Sequence, residues 1–289
     1  MTASQTFLVN PEQMKPEKLI LIGSSGLIGK SLLNVARSHF SSILCVGSTS
    51  ITSWNNGNNG KCTHSTREDK LGWSDLDKHL DSDNFVINAS WGRNNRVDRN
   101  SQIQMEYANR ELRLIYKVNN RTLNYLSFGS IAEVDDTRIS PSYGTLYSKA
   151  KIKIFRELEQ SSSAYLWIRL ASIYGHNDKR DWLMNQLIAH AKSANRILLK
   201  SPNLLINLCQ VDALAQEIFN ILEIKSSSAL NIFTKQWVTV KELSNSFGLL
   251  KEPNYSMIQS LNFSQNDPRG YLIETPPFLN FIRCSTSHE

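Results

Sequence analysis

The chain has 289 residues, a formal net charge of +6 at neutral pH and 40% hydrophobic residues, enough for a sizeable core in one or two domains. No run of about eighteen apolar residues occurs, so no membrane-spanning helix is expected. There is no Lys/Arg run or basic-aromatic stripe either. The basic balance therefore reads as a solvated surface, or one suited to a phosphorylated small molecule, rather than as a nucleic-acid binder.

In chain order, residues 1–17 are polar and Pro-containing, without the apolar centre of a signal peptide, and are expected to be a loose leader. "LILIGSSGLIGKS" (Leu19 to Ser31) then reads two ways. A phosphate-binding P-loop needs Gly, four residues, then Gly-Lys-Ser/Thr. Gly29, Lys30 and Ser31 match its end, but Ser24 stands where its first glycine belongs. Gly23, Gly26 and Gly29 lie instead between an apolar strand-like run and the helical pattern Leu32, Leu33, Val35, Ala36. Strand, glycine turn, helix is the context of a dinucleotide fold. One glycine makes the tight turn, one admits the pyrophosphate and one lets helix pack on strand.

Ser42 to Ser48 reads as a second buried strand. The polar, Asn- and Gly-rich stretch after it reads as a loop holding a short third strand near Cys62. "NFVINAS" (Asn84 to Ser90) is a buried strand, "SQIQMEYANRELRLIYKV" a helix by period, and "RTLNYLSFGS" a strand leading to a loop. "LYSKAKIKIFRELEQ" is a helix with Ile152, Ile154, Phe155 and Leu158 apolar, and "AYLWIRLASIYG" is a strand. "DWLMNQLIAHAKSA" and "VDALAQEIFNILE" are helices, followed by short elements rich in Pro and Asn. Alternating strands and helices imply an α/β fold, a doubly wound parallel sheet covered on both faces. The expected organisation is a dinucleotide-binding domain over 18–175 with returning elements near 204–233, a mainly substrate-binding lobe over 176–282, and a frayed tail over 283–289. The four cysteines are far apart and have no metal-ligand spacing. They read as reduced thiols of a cytoplasmic protein, with no metal site.

"YSKAK" sets Tyr147 and Lys151 one helical turn apart on one face. An ammonium beside a tyrosine favours the phenolate, and such a tyrosine can give or take a proton at a carbonyl or alcohol oxygen. Upstream, "SFGSIAEV" offers the hydroxyls of Ser127 and Ser130 at a strand end. Glycine turn, serine and Tyr-x-x-x-Lys in this order resemble the extended short-chain dehydrogenase/reductase family of nucleotide-sugar epimerases, dehydratases and reductases. "FVINAS", "NYLSFGSIAEV", "WIRLASIYG", "INLCQVDALAQEIF" and "ALNIFTKQWVTVKELSNSFG" resemble its segments in the same order, from about Lys18 to about Gly248.

The resemblance implies catalysis by Ser130, Tyr147 and Lys151, with Ser130 the better match than Ser127. It implies a nicotinamide dinucleotide held by Gly23, Ser24, Ser25, Gly26, Leu27, Ile28 and Gly29. Asn88, Ala89 and Ser90 would lie beside that cofactor, and Tyr147 and Lys151 would touch it. The acidic residue often found at the end of the family's second strand is missing from "CVGSTS", which favours NADP over NAD. Ser48 and Thr49, with Arg37 or Lys30, could meet a 2′-phosphate. A dehydratase would carry Asp-Glu where Ile131 and Ala132 stand. Trp91, Arg93, Tyr143 and His176 are candidates to border the substrate, as are Arg96 and Arg99 near a diphosphate. The expected activity is reduction of a keto group on a nucleotide-activated sugar, a small-molecule substrate, by a homodimer, without nucleic acid or membrane. An epimerase holding NAD tightly and a non-catalytic dinucleotide-binding protein are the alternatives.

Overall fold

The computed structural model describes residues 18–46, 50–55, 63–67, 76–80, 84–91, 98–121, 124–135, 140–161, 163–175, 178, 182–193, 199–222, 228–234, 237–247 and 270–273. The expected leader, the expected tail, Cys62 and Cys284 lie outside the described residues. The elements begin with β1 (Lys18–Ile22), α1 (Leu27–Ala36), β2 (Ser42–Val46), β3 (Ser50–Asn55), β4 (Thr63–Arg67) and β5 (Asn84–Asn88). They continue with α2 (Ile103–Asn119), β6 (Asn124–Ser130), α3 (Leu146–Glu159), β7 (Tyr165–Leu170), β8 (Ser172–Tyr174) and α4 (Leu183–Ser193). The chain then forms β9 (Leu205–Gln210), α5 (Val211–Leu222), β10 (Ser228–Thr234), β11 (Trp237–Thr239), α6 (Val240–Ser246) and β12 (Gly270–Ile273).

β1 explains the layers. Side chains alternate across a strand, so Leu19 and Leu21 face one side and Ile20 and Ile22 the other. All four are buried, as in a parallel strand covered on both faces. Leu19 and Leu21 pack with Leu32 and Ala36 of α1 and Leu214 and Ile218 of α5. Ile20 and Ile22 pack with Leu114 and Ile115 of α2 and Ile154 and Leu158 of α3. The strand order is β12-β10-β7-β6-β5-β1-β2-β3-β4, with β2-β1-β5-β6-β7-β10-β12 all parallel. The result is a doubly wound, Rossmann-like sheet. From β1 the chain passes through α1 to β2 on one side, and its next parallel strand, β5, lies on the other. The switch point, where such sheets bind ligands, therefore sits beyond the carboxyl ends of β1 and β5.

Two segments depart from the sequence reading. The polar stretch after β2 forms two strands, both antiparallel: β4 is the short strand expected near Cys62, and β3 before it is unexpected. Three residues separate β2 from β3, too few for the crossover that a parallel pair requires. "AYLWIRLASIYG" is not one strand but two: β7 stays in the main sheet, while β8, after Ala171, pairs with β9 in a second sheet ordered β11-β9-β8. Tyr174, Ile206 and Leu208 of that sheet pack with Met184 and Leu187 of α4 and Val240 and Leu243 of α6. Among the described residues no helix is long and apolar enough to cross a membrane.

One side chain hydrogen-bonds the second sheet to the first. The buried Asn207 of β9 donates through Nδ2 to the Thr234 carbonyl at 2.9 Å and accepts the Thr234 N–H at 2.9 Å. Its amide acts as a strand edge for the end of β10. Asn207→Leu keeps the volume and removes both bonds, so unfolding in urea is expected to show a stability loss of about 2–3 kcal/mol. An unchanged denaturation midpoint would mean that this amide does not tie the sheets.

Candidate active site

The glycine turn closes onto the switch point. Gly23 has φ +80°, the left-handed region, and donates its N–H to the Val46 carbonyl at 2.7 Å. A side chain there would start 2.8 Å from the backbone of Ala89 and Ser90. Gly29, one turn into α1, is pressed against the turn: an added Cβ would collide with the Gly23 carbonyl oxygen and lie 2.8 Å from Ser24 Cα. Gly26 differs. Its φ of −74° is open to any residue, and an added Cβ would meet only the Gly23 oxygen, at 3.3 Å. It is exposed and caps α1 without a side-chain hydrogen bond, and no acidic residue occupies the first turn. The free N–H groups of that helix end, with open space above a glycine, suit a phosphate.

The β5 exit is built from beneath. Asn88 is buried, its Oδ1 accepting the Ser90 N–H at 3.1 Å and the Ser90 hydroxyl at 2.6 Å, and its Nδ2 donating to the Tyr125 hydroxyl at 3.3 Å. Tyr125 donates to Glu111 Oε1 at 3.1 Å, and Ser127 donates to the same oxygen. Burial, and next the Glu111 charge, push the Tyr125 phenol well above its usual range. Asn88 thus shapes the Ala89–Ser90 turn from inside. Ser127 faces the interior, which leaves Ser130 as the serine at the mouth of the sheet.

Tyr147 and Lys151 project from the first turns of α3, which Thr145 caps by accepting the Ser148 N–H at 3.3 Å. The Tyr147 N–H donates to the Arg99 carbonyl at 2.8 Å, docking the helix start on the loop after β5. The Arg99 guanidinium carbon lies 5.1 Å from the centre of the Tyr147 ring. Lys151 is 4% exposed, and its Nζ donates to the Phe128 carbonyl at 2.7 Å. Its Nζ also lies 3.6 Å from the centre of the Trp91 ring, a cation–π contact. The same indole meets the Tyr147 ring edge-on at 5.7 Å and donates through Nε1 to Gln104 at 3.0 Å. Trp91, which the sequence offered as a candidate to border the substrate, therefore touches both Tyr147 and Lys151.

Tyr143 sits in the loop before α3, 41% exposed. Its neighbour Ser142 accepts a hydrogen bond from Arg99. Ser25, Lys30 and Arg37 are exposed. Ser48, Thr49, Arg93, Arg96 and His176 lie outside the described residues. Cys45 and Cys209 are buried, and burial pushes the Cys209 thiol up to about 12, which keeps it protonated.

No family model matches the sequence, and no curated protein matches it. Solved structures do match. A Bordetella bronchiseptica enzyme, WbmG, solved with NAD and UDP, superposes with TM-score 0.64 at 13% identity over 93% of this chain and 92% of that chain. The Helicobacter pylori ADP-L-glycero-D-manno-heptose-6-epimerase gives TM-score 0.62 at 13% identity over 83% of this chain and 84% of that chain. A Bacillus anthracis dTDP-4-dehydrorhamnose reductase in complex with NADP gives 0.61 at 12% identity over 80% of this chain and 79% of that chain.

The fold is that of the extended short-chain dehydrogenase/reductases. In that fold the three glycines of this chain have separable tasks. Gly29→Ala forces α1 off the glycine turn, and overpacking of this kind costs about 1–3 kcal/mol. The thermal midpoint of the protein without ligand should fall accordingly. A midpoint within error of the parent would mean that helix and turn are not in close contact.

Proposed function

We propose that the chain is an NAD(P)-dependent oxidoreductase that reduces a keto group of a nucleotide-activated sugar. The observation that carries this reading is that Tyr147 and Lys151 both pack on Trp91, with Lys151 also bonded to the Phe128 carbonyl two residues before Ser130, next to a glycine turn whose Gly26 leaves open space at a bare helix end. The residues present fit a dinucleotide. Gly23 to Gly29 would hold its pyrophosphate, and Ala89 and Ser90 would line its path. When bound, the nicotinamide supplies or takes up a hydride.

The chain's own residues do the rest. Tyr147 gives a proton to the substrate oxygen. Ser130 donates a hydrogen bond to that oxygen, because its Oγ already accepts the Ala132 N–H at 3.2 Å and its O–H is left to point elsewhere. Lys151 keeps a positive charge at the base of the tyrosine turn, and Arg99 adds a second cation at the ring. Both favour the negative charge that develops when the tyrosine loses its proton. NADP is the preferred cofactor, since no acid ends "CVGSTS" to repel a 2′-phosphate and Lys30 and Arg37 are exposed on α1 and its end. The lobe built on β8, β9 and β11 receives the sugar.

Gly26→Ala tests the cofactor site. A methyl group in the space above the turn should weaken NADPH binding by about tenfold or more, while N-cap preference costs the free protein only about 1 kcal/mol. Unchanged NADPH affinity in a fluorescence titration would place the cofactor elsewhere.

Tyr147→Phe tests the chemistry against a panel of dTDP-, UDP- and ADP-linked 4-keto sugars. It should retain NADPH binding and lose turnover by about 10²–10⁴-fold, the share of a positioned acid. Full activity in Tyr147→Phe together with loss in Tyr143→Phe would overturn the assignment. NADPH consumed in proportion to product marks a reductase, and a cofactor unchanged in amount through turnover marks an epimerase.

A further inference from the structure

Glu133 has no role in the chemistry above, yet three hydrogen bonds hold its carboxylate near it. Its side chain is 2% exposed. A buried carboxylate is costly unless it is paired and hydrogen-bonded. Here three donors converge on it. Oε1 accepts the Ser130 N–H at 2.6 Å, and Oε2 accepts Trp167 Nε1 at 3.0 Å and Arg169 Nε at 2.9 Å. The room for it is made by Gly129, where an added Cβ would collide with Glu133 Oε1 and come within 2.5 Å of Trp167 Nε1. Gly129 lies beside Arg169 in the β6–β7 register, so the Arg partner comes from the adjacent strand. Arg169 in turn lies over the Phe155 ring, 4.6 Å from its centre. Phe155 belongs to α3, the helix of Tyr147 and Lys151. A buried ion pair adds little net stability over an apolar pair of the same volume. What this one does add is a fixed direction for the residue it holds.

Resting on the reading of Ser130 as the hydroxyl that meets the substrate oxygen, we infer that Glu133 is a positioning residue of the reaction. Clamped by Trp167 and Arg169, it holds the Ser130 backbone N–H. That fixes the turn in which Ser130 Oγ accepts the Ala132 N–H, and the serine proton is thereby turned outward to the reacting oxygen. The two hydrogen bonds form a reciprocal capping box on the single turn Ile131–Glu133. The same clamp ties β6, β7 and α3 together, so serine and tyrosine keep one relative geometry. A small error in such geometry is enough to cost about a hundredfold in rate.

Glu133→Gln is the test. One amide oxygen cannot serve both the Ser130 N–H and the Trp167–Arg169 pair, and its NH2 faces donors. With NADPH and whichever 4-keto sugar of the panel is turned over, kcat should fall about 10- to 100-fold, with KM and NADPH affinity changing about threefold at most. The deciding measurement is the cycle with Ser130→Ala. Acting through the serine, Glu133→Gln should add nothing to Ser130→Ala; two independent losses that multiply would overturn the inference. A second measurement needs no variant of Glu133 and no substrate. In protein labelled with 15N-serine, the Ser130 amide, identified by its absence from Ser130→Ala, should be strongly protected from solvent exchange. An amide exchanging as fast as a free turn N–H refutes the clamp even if Glu133→Gln does not fold. If no keto sugar is turned over by the parent protein, the proposed reaction falls, and the clamp stands or falls on that amide alone.

Discussion

The contact on which the site depends is backbone against backbone. At Gly23 the chain leaves β1 in a left-handed turn so close to Ala89 and Ser90 that no side chain fits between them. Gly29 repeats the demand one helical turn later, against the Gly23 carbonyl. These two close approaches aim the bare end of α1 at the switch point. They leave Gly26 as the place where the turn is open. Unpaired N–H groups and the helix dipole at such an end favour negative charge.

Beneath this opening lie two buried carboxylates with different surroundings. Glu133 is fully engaged: its donors come from the turn it closes and from the neighbouring strand. Glu111 receives Tyr125 and Ser127 on one oxygen, and among the described residues its other oxygen has no hydrogen-bond partner. Glu111 braces β6 beside the end of β5, and Glu133 braces the end of β6 against β7. Lys151 belongs to the same design. A carbonyl of β6 and the face of Trp91 together hold its ammonium in a nearly dry place, and both are favourable partners for a cation.

The second sheet is joined to the first by chain, hydrogen bond and packing, the last including the Phe233 and Trp237 rings. β7 passes into β8 across Ala171, and the Asn207 side chain imitates a strand edge for Thr234. The lobe therefore follows the main sheet closely. Its own core, around Tyr174, Met184 and Leu187, is separate from the layers that pack on β1.

The amino-acid sequence by itself determined what neighbouring residues determine. Apolar runs made buried strands, 3.6-residue spacing made helices, and glycines three apart made a turn that opens a helix. Tyr147 and Lys151 fell on one face of α3 because four residues make about one turn. The preference for Ser130 over Ser127 came from the family resemblance; the structure buries Ser127 and leaves Ser130 partly exposed at the strand end. Tertiary structure alone decided the remainder. The antiparallel turn-back of β3 depended on how little chain followed β2, in a polar stretch where only the later short strand near Cys62 was legible. The break at Ala171 lay inside a continuous apolar run, where nothing local marks a change of sheet. Trp91 came to rest on Lys151 because β5 and α3, distant in sequence, meet there. The spacing of Ser130 and Glu133 is that of a capping box and could have been read as one. That its carboxylate would also hold Trp167 and Arg169 could not, because the register of β6 on β7 is a long-range pairing that no local pattern encodes.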